Sequence, residues 1–185
     1  KDSTGICFIG ERPFREFLAS FIPATSGPIR TLDGEVIGEH QGLLYYTPGQ
    51  RHGLGIGGQR DSSGEPWYVA ARDWKNNALI VVQGDHEVLY SDHVAATAAT
   101  WIGAPPELFR RRGALPCMAK IRYRQQDQSC LLRKTGAEQL EIFFELRQRA
   151  VAPGQYAVFY DGDRCLGGAV IDRVLSSSDA LRAVV

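Results

Sequence analysis

Cys117-Met118-Ala119-Lys120-Ile121-Arg122-Tyr123-Arg124 is the stretch on which the fold reading turns. Apolar or small residues alternate there with basic ones, the period-two pattern of a strand with one wet face. Similar short segments follow at 141–146, 156–160 and 169–175, separated by turns such as Asp161-Gly162-Asp163. Several short strands at this spacing predict a small antiparallel barrel.

Working back from that barrel, Gly punctuates the chain from Gly27 to Gly84. Strands are expected over 29–32, 67–72 and 78–83. Asn76-Asn77 supplies the turn between the last two, because Asn tolerates positive φ. Before them, Phe14, Phe17, Leu18 and Phe21 recur at helical spacing, with Pro13 suited to the first turn and Pro23 to the stop. This stripe reads as a core face. Residues 85–116, with Trp101 and Pro105-Pro106, read as a looser connection. The Ser176-Ser177-Ser178 run reads as a loose terminus or a helix cap. The expected fold class is mainly β, with a short N-terminal helix and a small mostly-β central domain over 11–84. An antiparallel β-barrel follows over 85–185.

The chain has 185 residues, 44% hydrophobic and 23% charged, with 21 basic and 21 acidic side chains. That is the composition of a globular protein and excludes a disordered tail or a uniformly basic nucleic-acid binder. No apolar run approaches the length of a membrane span, so no membrane partner is expected. The first residues, Lys1-Asp2-Ser3-Thr4, lack an initiator Met, so the chain is expected to be part of a longer protein.

Charge is uneven. Residues 110–134 hold eight basic side chains against one acidic, while the segments on either side are net acidic. A local basic band beside aromatics points to a polyanion contact. On a strand, Lys120, Arg122 and Arg124 line one face at roughly 6–7 Å spacing, a ladder suited to phosphates. A solvated edge strand, on which Lys and Arg discourage aggregation, uses the same residues. Arg110-Arg111-Arg112 tilt the balance towards RNA.

Gly53-Leu54-Gly55-Ile56-Gly57-Gly58 is no phosphate loop, since the polar, turn-prone residues 59–66 follow it rather than a helix. A tight backbone path or close approach to another surface is expected instead. His40, His52, His86 and His93 are scattered, and no Cys pair has zinc-ligand spacing, so no metal is expected. Cys117, Cys130 and Cys165 sit in or beside apolar strands and read as small hydrophobes in a reducing, cytoplasmic compartment. Cys7 differs. It lies in a loop rich in small residues just before the expected helix, whose N-terminus favours a thiolate. On the residues alone, an inert Cys between Ile6 and Phe8 is the favoured reading.

Asp2-Ser3-Thr4-Gly5-Ile6-Cys7-Phe8-Ile9-Gly10-Glu11, the stretch His40 to Gly58, Ala119-Lys120-Ile121-Arg122-Tyr123-Arg124-Gln125, Gln148-Arg149-Ala150-Val151-Ala152-Pro153-Gly154-Gln155 and Cys165-Leu166-Gly167-Gly168 together resemble the tRNA-specific 2-thiouridylase family. The match runs in order over nearly the whole chain and corresponds to the C-terminal half of that family. It implies that residues 1–10 close the missing ATP-pyrophosphatase domain, and that the barrel is like the second domain of elongation factors. It also implies a reaction in which ATP, bound by the missing half, adenylates the C2 oxygen of the tRNA wobble uridine and sulfur replaces that oxygen. By the same resemblance Cys7 carries the persulfide, loaded by a sulfur-relay protein or cysteine desulfurase. Arg122, Tyr123 and Gln155 contact tRNA, with Glu, Gln and Lys acceptors as substrates. Departures are small: Pro48 follows Thr47 where an aliphatic residue is common, and Ala152 stands where Thr is common.

Neighbouring strand residues point to opposite faces, so Arg122 and Tyr123 share a surface only if the strand ends or bulges there, or one acts through its backbone. Two other readings use the same residues: a stand-alone RNA-binding barrel with an inert Cys7, and a sulfur carrier without RNA affinity.

Overall fold

The computed structural model describes Phe21, residues 24–57 and residues 64–175. The Cys7 loop, the apolar stripe at Phe14, Phe17 and Leu18, and the Ser176-Ser177-Ser178 run lie outside the described residues.

A four-stranded sheet and a closed barrel share the chain, and the most apolar strand organises the sheet. Strands β1 (Gly27–Arg30), β2 (Val36–His40), β3 (Trp67–Asp73) and β4 (Ala78–Gln83) stand in the order β2-β1-β4-β3. β1 and β4 run parallel; the other two pairs are antiparallel. β4 is a continuous apolar run because both its faces are covered. Leu79 and Val81 pack with Ile29, Tyr46 and Val69, while Ala78, Ile80 and Val82 pack with Val88 and Leu89. The β3–β4 hairpin turns at Asn77, which takes φ 49° as its sequence predicts. Asp73 accepts hydrogen bonds from Asn76 at both its backbone and side chain. Burial raises the pKa of its carboxyl, but these bonds outweigh burial and leave it below the ordinary value. His40 is wholly buried. Its Nδ1 accepts from Gly42 N–H at 3.0 Å, so the proton sits on Nε2, which donates to the Asn77 carbonyl at 3.0 Å. That histidine is a structural tie between β2 and the hairpin. In the Gly-rich stretch, Leu54 and Ile56 are buried in the same core, and Gly53 and Gly55 beside them take φ 78° and 71°.

The barrel comprises β5 (Tyr90–Trp101), β6 (Ala114–Lys120), β7 (Gln128–Lys134), β8 (Leu140–Arg149), β9 (Tyr156–Asp161) and β10 (Arg164–Val174). It closes in the order β10-β5-β8-β7-β6-β9, all pairs antiparallel. Val94, Leu132, Leu140, Ile142, Phe159 and Ile171 fill the interior. The short helix α1 (Glu107–Arg112) caps one end by setting Phe109 against Trp101, ring centroids 4.9 Å apart. Gly167, at φ 149°, passes so close to Thr100 that a Cβ there would overlap the Thr100 carbonyl oxygen. This close approach lets β10 seal against β5.

Two sequence expectations need correction. The looser connection expected over 85–116 holds β5, a twelve-residue strand, and α1. Ala and Thr fill β5, which hides its alternation; its order comes from pairing on both edges with β8 and β10. The strand expected to run to Arg124 ends at Lys120. The Ile121 N–H is taken by the Gln125 side chain at 3.0 Å, so the chain turns instead of extending. The sequence reading placed no strand at β2 or β7, both of which form.

A candidate nucleic-acid interface

The end of β6 builds the site. Ile121 is buried and anchors the turn, while Arg122, Tyr123 and Arg124 are exposed around its tip. Gln125 N–H closes the turn on the Arg122 carbonyl at 3.1 Å. Tyr123 is 91% exposed at the tip of the turn, between Arg122 and Arg124. The earlier geometric difficulty is thus removed by the first of its three solutions: the strand ends, and both neighbours reach one groove.

That groove is about 960 Å³. One wall is the turn with Lys120 and, from β9 and the loop before it, Gln155, Tyr156, Val158 and Tyr160. The other wall is residues 47–50, which follow a 3-10 turn at Leu43–Tyr45. This second wall is tied to β3, with Gly49 N–H donating to the Val69 carbonyl at 2.7 Å and Val69 N–H to the Gln50 carbonyl at 3.0 Å. The resemblance-derived trio Arg122, Tyr123 and Gln155 is therefore brought together at one groove. Among the described residues no acidic side chain lines it.

The electrostatics differ from a ladder of three free cations. Lys120 Nζ lies 2.8 Å from Asp127 and 5.3 Å from the Tyr160 ring centroid. The hydrogen bond to Asp127 raises its pKa. Its charge is therefore largely matched within the fold. Arg122 Nη2 donates to the Ala150 carbonyl at 3.0 Å. Burial pulls the Arg122 pKa down, with Arg149 adding to the effect, yet a guanidinium stays cationic at neutral pH. One of its five donors is spent on fixing the head group; the fork is pre-set rather than mobile. A groove with two arginines, three tyrosines and two side-chain amides can hold phosphates by charge and bases by stacking.

Sequence reasoning missed the 47–50 wall and the role of Tyr156 and Tyr160. The tyrosines had a signal, because on a strand 156, 158 and 160 share a face. The wall had none, since it meets the turn only through tertiary packing.

The basic band splits in two. Arg110, Arg111 and Arg112 lie beside Gly113, whose carbonyl accepts from Lys134 N–H at 2.7 Å. β6 separates this cluster from the groove by roughly 20 Å, at about 3.3 Å per residue. Arg111 pairs with Glu107 at 2.6 Å, and Arg133 with Glu141. His86, His93, Cys117 and Cys130, none of them a candidate in the sequence, are tied into the fold. His86 accepts from Val88 N–H through Nδ1. His93 stacks on Phe143 at 4.1 Å. Cys117 and Cys130 face each other across β6 and β7, Sγ atoms 3.7 Å apart. The Cys117 contact and burial push the Cys130 thiol far up, which disfavours its thiolate. Among the described residues no group of three or more His, Cys, Asp or Glu is placed to hold a metal ion. Among them, too, no helix is long and apolar enough to cross a membrane.

Comparison with known proteins adds a second line. Residues 15–83 match the tRNA methyl transferase PRC-barrel domain, and residues 91–171 match the aminomethyltransferase beta-barrel domain. The chain is 53% identical over 176 residues to the tRNA-specific 2-thiouridylase MnmA of Aeromonas salmonicida, covering 95% of this chain and 47% of that protein. It is 50% identical over 185 residues to the protein of the same name from Bacillus pumilus, covering 100% of this chain and 48% of that protein. The Methylococcus capsulatus protein of that name is 54% identical over 177 residues, covering 93% of this chain and 46% of its own length. The chain spans about half the length of the curated relatives it matches.

Proposed function

We propose that this chain, which belongs to the tRNA-specific 2-thiouridylase family, is the tRNA-docking and sulfur-presenting half of a wobble-uridine thiolase. The observation that carries this reading is the groove at the end of β6. It gathers Arg122, Tyr123 and Gln155 from segments more than 30 positions apart and leaves an aromatic ring almost fully exposed beside two arginines. The central β domain over 11–84 and the barrel over 85–185 then act as two arms that grip RNA between them.

In this mechanism the anticodon loop docks in the groove. Arg122 and Arg124 hold phosphates, Tyr123 stacks on an unpaired base, and Gln155 reads a base edge or sugar. The target uridine leaves its stack to be reached. In the other half of the enzyme, the uridine C2 oxygen attacks the α-phosphorus of ATP, releasing pyrophosphate and making a good leaving group. The terminal sulfur of a Cys7 persulfide attacks C2, and AMP departs. A second thiol, from the half outside this chain, attacks the Cys7 sulfur. The C2-bound sulfur leaves as the thiocarbonyl, and Cys7 ends in a disulfide that an external reductant reopens. Each displacement is easier than direct exchange of oxygen for sulfur. A sulfur-relay protein or cysteine desulfurase reloads Cys7 in the cytoplasm.

This division of labour is testable. The 185-residue chain alone should bind unmodified tRNA of the Glu, Gln or Lys acceptors, with an affinity that falls as salt rises. Incubated with ATP and a sulfur donor, it should form no 2-thiouridine by nucleoside mass spectrometry. Turnover by the chain alone, or failure to bind any tRNA, would overturn the proposal. Alkylation separates it from an RNA-binding module with an inert thiol: Cys7 should react before Cys117, Cys130 and Cys165.

A further inference from the structure

Gln148, in β8, is a buried polar residue, 3% exposed, that the docking reading does not use. The pairing of β8 with β5 jumps from His93↔Phe143 to Ser91↔Gln148, so β8 bulges between these points. A bulge re-aims the residues beside it. The Gln148 carboxamide is fully engaged. Its Nε2 donates to the Leu146 carbonyl at 2.6 Å and to Gln128 Oε1 at 3.3 Å. Its Oε1 accepts from Gln125 Nε2 at 2.5 Å. Gln125 in turn uses its own Oε1 to accept the Ile121 N–H. A relay of two amides thus runs from inside β8 to the backbone that turns β6 into the groove.

Two residues on, Ala150 takes φ 56°, the left-handed region that a non-glycine residue seldom adopts. Its N–H donates to the Leu89 carbonyl at 2.6 Å, and its carbonyl receives Arg122. Its methyl lies so close to Gly49 that a Cβ on Gly49 would overlap it. Between them, Arg149 stands over the Tyr68 ring at 4.5 Å and reaches Asp85 at 3.4 Å. One three-residue segment therefore touches both walls of the groove.

We infer that Gln148-Arg149-Ala150 is the positioning segment of the RNA groove: Gln148 fixes the turn that carries Arg122 and Tyr123, and Ala150 fixes the opposite wall against it. The inference rests on the docking reading for its purpose, but its structural half stands alone. The amide relay explains why a highly exposed turn of charged and aromatic residues can be held in one shape before RNA arrives, which lowers the ordering cost of binding.

Gln148→Met keeps the length of the side chain and removes both amide functions. In the free protein, trypsin should cut after Arg122 and Arg124 at least about tenfold faster than in the wild type, with other sites little changed, because release of the turn is local. Gln125→Met should give the same pattern, and the double variant should add little, since both act through one bond. With tRNA, Gln148→Met should lower the slope of log affinity against log salt by about one to two, as oriented phosphate contacts are lost. A residue that merely stabilises the fold would raise cleavage everywhere and leave that slope unchanged; this result overturns the inference. Should Gln148→Met fail to fold, Gln125→Met, half-buried at the base of the turn, decides by the same two readouts. If the wild type binds no tRNA, the docking reading fails, and the cleavage pattern still judges whether the relay holds the turn.

Discussion

Cys7→Ser in the full-length enzyme is expected to abolish 2-thiouridine formation, by at least about 1,000-fold, while tRNA binding and the unfolding midpoint stay near wild type. The size follows from chemistry. A serine hydroxyl cannot carry sulfane sulfur, so the variant loses the reagent itself and not merely a favourable contact. Residual catalysis through water or a neighbouring group would give uridine again, not thiouridine. Binding survives because the described lining of the groove comes from residues 47–50, the end of β6 and its turn, and β9 with the loop before it. Cys117, Cys130 and Cys165 offer no substitute: the first two sit against each other with Cys130 buried, and Cys165 is half-buried in β10. Two measurements check this: nucleoside mass spectrometry of tRNA from reconstituted reactions, and intact-protein mass after loading with a sulfur donor. The donor should add the mass of sulfur to the wild type and not to Cys7→Ser. Thiolation by the variant at a tenth of the normal rate would place the sulfur carrier elsewhere.

The second large effect is at Arg122. Arg122→Ala should weaken tRNA binding about 10- to 100-fold, the range set by about 1.5–3 kcal/mol for a hydrogen bond to a charged group. It should also reduce the salt slope by about one, because one fixed cation leaves the interface. Arg122→Lys separates charge from shape. It keeps the positive charge, so the salt slope should stay close to wild type. It loses the planar fork that grips both the Ala150 carbonyl and a ligand, so affinity should still fall. Stability should change little in either variant, since the Arg122 side chain is exposed. Arg122→Ala binding with wild-type affinity and salt dependence would remove this residue from the interface.

The parts of the fold most legible in the sequence were those in which one strand carries its own signal. β4 announced itself as an unbroken apolar run because two separate clusters cover its faces. The Asn76-Asn77 turn was readable because few residues accept the φ it needs. β5 was not, because Ala and Thr at 95–100 blur the alternation that its barrel position imposes. The β6 terminus misled for the opposite reason. Lys120-Ile121-Arg122-Tyr123-Arg124 alternates well as text, yet Gln125 captures the Ile121 amide and bends the chain. That bend depends on Gln148, 23 positions further along, and no local pattern holds it.

The site divides in the same way. Arg122, Tyr123 and Gln155 came from resemblance of whole motifs, whereas physical reading of the basic residues stopped at a choice between a phosphate ladder and a solvated edge. The structure supplies a third arrangement. Lys120 is matched by Asp127, Arg122 is fixed by a backbone carbonyl, and the more open cations are divided between the groove and the α1 end of the barrel. The wall at 47–50 faces the turn through Gly49 and Ala150, a contact about 100 positions apart in sequence. Nothing in the composition of either segment foretells it.

The central claim is that RNA lies in the groove where β6 ends and not on the basic cluster of α1. Ultraviolet cross-linking of the protein to unmodified substrate tRNA, followed by peptide mass spectrometry, tests it most directly. Cross-links should concentrate on Tyr123 and on the segment that holds Gln155 and Tyr156. Cross-links confined to peptides around Arg110, Arg111 and Arg112, with Tyr123 unmodified, would contradict the account.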